Sequence, residues 1–146
     1  MGRKPVRVAV DAMGGDYAPQ EIIKGAIRAA ERDGIEVILV GSEDAIQREL
    51  EKYDVSGLPI RVVNASEVIR EGESPVTALR LKPDASIMVA TRMVKEGEAD
   101  AVVSMGYTGA VMVAAIEILG KLEGTKRPSA GGLLCGFAPS TIVFDL

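Results

Sequence analysis

The sequence predicts an α/β fold: a mostly parallel sheet with helices on both faces. Strand-like and helix-like patterns alternate from end to end of the chain, as a parallel sheet with crossover helices requires. The opening run Val8-Ala-Val-Asp-Ala-Met-Gly-Gly-Asp16 reads strand, tight turn, then helix. A second strand-to-helix turn of the same kind follows at Val103-Ser-Met-Gly-Tyr-Thr-Gly109. Such turns lie at the carboxyl ends of strands, where open α/β sheets bind ligands.

Arg7 to Ala12 is the first predicted strand. Pro19 suits the first turn of a helix, where its missing N–H is not needed. Ile22, Ile23, Ala26, Ile27 and Ala30 follow at helical spacing, and Gly34 suits the end. Glu36 to Val40 is the second strand. Ser42 is placed to cap the next helix, with Glu43 and Asp44 near the positive end of its dipole. Ile46, Leu50 and Tyr53 form that helix's predicted buried stripe. Ile60 to Asn64 is the third strand. The segment from Ala65 to Pro83 is the least regular, interrupted by Gly72 and Pro75, with a short helix over Val76 to Leu81. Asp84 is expected to cap the next helix, which carries Ile87, Ala90, Met93 and Val94 on one side and ends at Gly97. Ala101 to Ser104 is the fourth strand. Thr108 to Leu122 reads as a helix with Val111, Ala115, Ile118 and Leu122 on one face and Gly124 as its stop. Ala130 to Cys135 and Thr141 to Asp145 are two further predicted strands. The chain stops at Leu146 inside the last of them, which suggests the N-terminal part of a longer protein or a truncated product.

A chain of 146 residues is about one domain. Aromatic residues make up only 3% and there is no Trp, so Val, Ile, Leu, Ala and Met must build the core. The same scarcity argues against a protein that stacks nucleic-acid bases. The net charge is -4 with no long basic run, so no nucleic-acid partner is expected. Arg3, Lys4 and Arg7 read as a solvated N-terminal tail. The single cysteine, Cys135, excludes an intrachain disulfide, fits a reducing cytoplasm, and reads as a small core residue. The absence of histidine removes Ser-His-Asp chemistry, His-ligated zinc and the usual general base. No apolar run approaches the length of a membrane span.

Three segments could carry chemistry. In the first turn, Gly14 and Gly15 let the backbone approach a ligand, and Asp11 and Asp16 flank them. The carboxylates suit a cationic partner, a hydroxyl or a metal, or they simply bond turn amides. In the second turn, Ser104, Gly106, Thr108 and Gly109 offer hydroxyls and amides at a helix start, which suits a phosphate or carboxylate and equally an ordinary βα turn. Neither turn matches the Walker A or G-x-G-x-x-G pattern. In the third, Arg80 and Lys82 precede a helix start bearing Ser86. They could clamp an oxyanion or a phosphoryl group, or form a solvated basic patch. Together these segments favour one anion site at the carboxyl edge of the sheet. Transfer between bound groups suits a site without a strong base, because phosphate can itself be the nucleophile.

These residues resemble the phosphate acyltransferase family PlsX. The resemblance runs in order through Val8 to Pro19, Ala65-Ser-Glu-Val-Ile69, Pro75, Ala78-Leu-Arg80, Lys82, Val94 to Asp100, Val103 to Ala110 and Arg127-Pro128. The chain departs from the family pattern at Tyr17, Asn64 and Tyr107, and at Ala85-Ser86-Ile87. The resemblance implies a fold like that of the isocitrate and isopropylmalate dehydrogenases, present here as a partial domain over residues 1–146. It implies that inorganic phosphate and an acyl-[acyl-carrier protein] give an acyl-phosphate, which feeds phospholipid synthesis. It also implies a homodimer, peripheral contact with the inner face of the membrane, and no metal or other cofactor. On that basis Ser104, Thr108 and the amides of Gly106 and Gly109 are expected to hold phosphate. Lys82, with Arg80, is expected to offset charge, while Asp11 and Asp16 shape the first turn and orient substrate, with Lys82 and Asp16 as the catalytic candidates. Two other readings stay open, a short-chain phosphate acyltransferase acting on acyl-CoA and a non-catalytic fragment.

Overall fold

The computed structural model describes residues 4–126, 128, 131–134 and 142–144. Four parallel strands form the main sheet in the order β3-β2-β1-β4: β1 (Arg7–Asp11), β2 (Glu36–Gly41), β3 (Ile60–Asn64) and β4 (Ala101–Ser104). Two helices join the first three strands, α1 (Gln20–Asp33) and α2 (Glu43–Leu50). The chain then returns through α3 (Pro75–Leu81) and α4 (Ser86–Lys95) to place β4 on the other side of β1. The strand order therefore reverses between β1 and β4. Beyond β4 come α5 (Thr108–Ala114) and a π-helical turn, Ala115–Leu119.

Alternation along the strands builds a core on each face of the sheet. Val10, Val37 and Leu39 pack with Ile23, Ala26 and Ile27 of α1 and Ile46 and Leu50 of α2. Ala9, Ile38 and Val40 face the other way, toward Ala90 and Met93 of α4. Ile23, Ile38, Leu39 and Ile46 are fully buried, each contributing about 2 kcal/mol relative to an exposed side chain. A third cluster ties Ala78 of α3 to Ile87 and Met88 of α4 and Ala110 and Ala114 of α5. Helices thus cover both faces, as the alternating pattern predicts.

Several local expectations need correction. Tyr53 lies past the end of α2 and is 36% exposed, because Glu51 already caps that helix. Pro19 occupies the N-cap of α1 rather than a place within its first turn. Asp84 does not cap α4; Ala85 holds that place. The Asp84 carboxylate instead accepts hydrogen bonds from the Ser66 amide at 2.7 Å and the Ser66 hydroxyl at 2.5 Å. The hydroxyl first, then the amide, holds its carboxyl below the usual value. The helix predicted to Leu122 stops earlier. Gly120 takes φ 86° after the π turn, and Leu122 is exposed. The last two strands are β5 (Gly131–Leu134) and β6 (Ile142–Phe144), which pair antiparallel in a separate sheet. Their predicted ends, Ala130, Cys135, Thr141 and Asp145, lie outside the described residues, as do Arg3, Arg127 and Leu146.

Arg7 is not part of a solvated tail. Its guanidinium grips Asp100 at the foot of β4, Nη2 to Oδ1 at 2.8 Å and Nε to Oδ2 at 3.1 Å. The Arg7 side chain, then its amide, lowers the Asp100 carboxyl from 3.8 to about 2. A carboxyl depressed on folding adds stability above its unfolded value and loses that stability as the pH falls through the folded one. The difference in Tm between the parent chain and Asp100→Asn should therefore be full near neutrality and shrink as the pH falls from about 4 to about 2. An unchanged difference across that window would show that the pair does not contribute.

Candidate functional site

The reversal of strand order places the carboxyl ends of β1 and β4 side by side, with Asp11 and Ser104 as register partners. Ligands of doubly wound sheets bind in the crevice outside such a point. Here the crevice is built on one buried carboxylate. Asp11 is 3% exposed. Its Oδ1 accepts from the Ser86 hydroxyl at 2.6 Å and from the Met13 amide at 3.2 Å. Its Oδ2 accepts from the Ser104 hydroxyl at 2.7 Å. Ser104 Oγ in turn accepts from the Gly106 amide at 3.0 Å. One carboxylate thus joins the end of β1, the end of β4 and the start of α4, and through Ser104 it sets the second glycine turn.

The two turns pack so closely that Gly14 must lack a side chain. A Cβ there would fall 2.5 Å from Asp11 Oδ2, 2.8 Å from Ser104 Oγ and 2.9 Å from the Gly106 amide nitrogen. Gly15 takes φ 113°, a backbone region that favours glycine. At Gly109 the close neighbours are the Tyr107 ring and Pro75, at 2.9 and 3.2 Å from a Cβ placed there.

In front of this hub lies a cleft of about 530 Å³. Of the residues singled out in the sequence, Gly14, Gly15, Asp16, Gly106 and Thr108 line it. Asp11, Ser86 and Ser104 stand behind the lining as the hub. The amides of Gly15, Asp16, Thr108 and Gly109 have no acceptor among the described residues, whereas the Gly106 amide is taken by Ser104. The one hydrogen of the Ser104 hydroxyl faces Asp11, so in this arrangement it is not offered to the cleft.

The third wall was not singled out as a site in the sequence. Val68, Ile69, Arg70 and Glu71 line the cleft opposite the glycine turns. Arg70 is exposed, and its guanidinium makes no hydrogen bond among the described residues. The two cations that were singled out are elsewhere. Arg80 is exposed in the last turn of α3, outside the lining. Lys82 is outside the lining too, its ammonium bonded to Glu73 Oε1 at 2.7 Å, Glu73 Oε2 at 2.6 Å and the Val68 carbonyl at 2.9 Å. The Lys82 ammonium first, then the Arg70 amide, holds the Glu73 carboxyl below its usual value. No group of three or more His, Cys, Asp or Glu side chains placed to hold a metal occurs among the described residues.

Chemically, the lining offers unpaired amides from two turns, the hydroxyl-bearing side chains of Thr108 and Tyr107, the Arg70 guanidinium, and the carboxylates of Asp16 and Glu71. Amides and a guanidinium together suit a small oxyanion. The carboxylates suit a hydroxyl or amide of a second group.

Comparison with known proteins gives the chain's relatives. A phosphate acyltransferase of Syntrophomonas wolfei is 56% identical over 124 residues, 84% of this chain and 39% of that protein. One of Desulforamulus reducens is 50% identical over 129 residues, 88% of this chain and 38% of that protein. One of Thermosynechococcus vestitus is 49% identical over 142 residues, 96% of this chain and 41% of that protein. The chain therefore spans well under half the length of these curated relatives. The profile of the family described as fatty acid synthesis protein matches residues 6–146, and with that match and these identities the chain belongs to the fatty acid synthesis protein family.

Proposed function

We propose that residues 1–146 form the N-terminal part of a phosphate acyltransferase that makes acyl-phosphate from an acyl thioester and inorganic phosphate for phospholipid synthesis. The observation that carries this reading is the meeting of two glycine turns, with unpaired amides, at the β1–β4 reversal. It is supported by the relatives' name, phosphate acyltransferase.

In this reading phosphate sits against the Gly15 and Thr108 turns, and the Thr108 hydroxyl and Arg70 guanidinium offset its charge. A phosphate oxygen adds to the thioester carbonyl carbon, the C–S bond breaks, and the departing thiolate takes a proton from solvent. The protein contributes position and charge rather than a base. Asp16, on the rim of the first turn, orients the acyl donor. The donor is acyl-[acyl-carrier protein]. The full-length protein acts as a homodimer in the cytoplasm, in peripheral contact with the inner face of the membrane. Among the described residues no helix is long and apolar enough to cross a membrane.

The test is phosphate-dependent thiol release from palmitoyl-[acyl-carrier protein], run with this chain and with the chain extended to its relatives' length. Release by the extended chain is expected, with Arg70→Ala raising the KM for phosphate about tenfold. Release from acyl-CoA alone would replace the carrier-protein donor with the short-chain reading. Silence from a folded extended chain would overturn the proposal.

A further inference from the structure

Lys82 stands outside the cleft's lining but bonds the carbonyl of Val68, which belongs to it. An ammonium has three hydrogens. Here the Lys82 ammonium has three acceptors, the two Glu73 carboxylate oxygens and the Val68 carbonyl oxygen. Glu73 Oε1 also accepts from the Arg70 amide at 2.8 Å. One ammonium therefore gathers both ends of the segment that runs from Val68 to Glu73. That segment supplies the third wall of the cleft, with Arg70 in it.

The stem of this segment is anchored separately. Ser66 bonds the Asp84 carboxylate, the Glu67 amide donates to the Asp84 carbonyl at 3.3 Å, and the Ser86 amide donates to the Glu67 carbonyl at 3.0 Å. Those bonds fix residues 66 and 67 whether or not Lys82 is present. Beyond them Ile69 is buried in the apolar cluster of Ala78, Ile87 and Ala110, while the polar ends of the segment, the Val68 carbonyl and the Glu73 carboxylate, are joined through Lys82. Without the ammonium, the Val68 carbonyl and the Glu73 carboxylate would face each other as two acceptors, which repel.

We propose that Lys82 is a positioning residue: acting through Glu73, it holds the Val68–Glu71 wall, and with it Arg70, across from the glycine turns. The proposal rests on the reading of the cleft as a phosphate site. It differs from the role expected from the sequence, in which the Lys82 ammonium itself meets the substrate. The two roles make opposite predictions for Glu73. If Lys82 acts through Glu73, loss of either partner has the same consequence. If Lys82 meets phosphate directly, loss of Glu73 frees the ammonium and strengthens binding.

The experiment titrates inorganic phosphate into the 146-residue chain and follows the amide resonances of Gly15 and Thr108. It is run on the parent, Lys82→Met, Glu73→Gln, the double variant and Lys82→Arg. Amide hydrogen exchange at Arg70 is read on the same samples. In each single variant phosphate affinity should fall about tenfold, with no further fall in the double variant, because coupled partners are not additive. Exchange at the Arg70 amide should quicken about tenfold in the same variants. Lys82→Arg, which keeps donors for both acceptors, should restore both readings. Tighter phosphate binding by Glu73→Gln would overturn the proposal in favour of direct contact. Unchanged Arg70 exchange in Lys82→Met would overturn it whatever the titration gives. If the parent chain itself fails to respond to phosphate, the phosphate reading of the cleft falls, while the exchange arm still decides whether Lys82 holds the wall.

Discussion

Asp11→Ala is expected to lose about 3 kcal/mol of stability, a fall in Tm of roughly 10 °C for a chain of this size. The cost has two sources. The three hydrogen bonds that Asp11 accepts, from Ser86, Ser104 and Met13, disappear together. The Ser86 hydroxyl, 1% exposed, is then left without its acceptor, and a buried donor without a partner pays its desolvation in full. Asp11→Asn should cost about half as much, because the amide oxygen still accepts from one hydroxyl and the other must turn round to accept from the amide NH2. Ser86→Ala removes one donor and leaves the carboxylate its other two, so about 1 kcal/mol is expected. Urea unfolding of the set measures each value. A loss below about 0.5 kcal/mol for Asp11→Ala would show that the carboxylate does not hold the three elements together.

Gly14→Ala should be the most damaging change in the turns themselves. The methyl group would meet Asp11 Oδ2, Ser104 Oγ and the Gly106 amide nitrogen, all at under 3 Å. None of these is the loose end of a long side chain. Two belong to the hydrogen-bonded hub and the third is backbone. The turns must separate to admit the methyl, at a cost of about 2–3 kcal/mol typical of overpacking. The response of the Gly15 and Thr108 amides to phosphate should vanish with it. The control is Gly25→Ala, in the exposed interior of α1, where a Cβ meets nothing within 4 Å. That change should add about 0.5–1 kcal/mol, since alanine loses less backbone freedom on entering a helix. Equal urea midpoints for the two variants would show that the close approach at Gly14 is not enforced.

The sequence made the scaffold legible and only part of the site. Strands β1 to β4 are short β-branched runs bounded by turn residues, and their limits fall within a residue or so of those read from the pattern. The glycine turns were legible because strand, glycine and helix succeed one another in them. The hub was not legible, because Ser86 lies 75 positions from Asp11 and meets it only after the crossover to β4 is made. The Arg70 wall was missed because the stretch from Ala65 to Pro83 has no period to read. For Lys82 the sequence shows a cation near a helix start but not the Glu73 carboxylate that pairs with it, because the two meet only through the fold of an aperiodic loop. Asp84 misled for a related reason: an acid just before a helix reads as a cap, and here it reaches back to Ser66.

The separation of Asp11 from its hydroxyl partners also sets an order of assembly. β1, β2 and β3 pair through connections of one helix each, but the Asp11–Ser104 contact closes a loop across 93 positions. Contacts so remote in sequence carry the larger entropic cost of closure and form late. The apolar layer of α1 and α2 on β1–β3 can therefore condense first, and the crevice comes into being only when β4 docks. A chain emerging from the ribosome would carry three paired strands before it carried the crevice, which waits for the fourth.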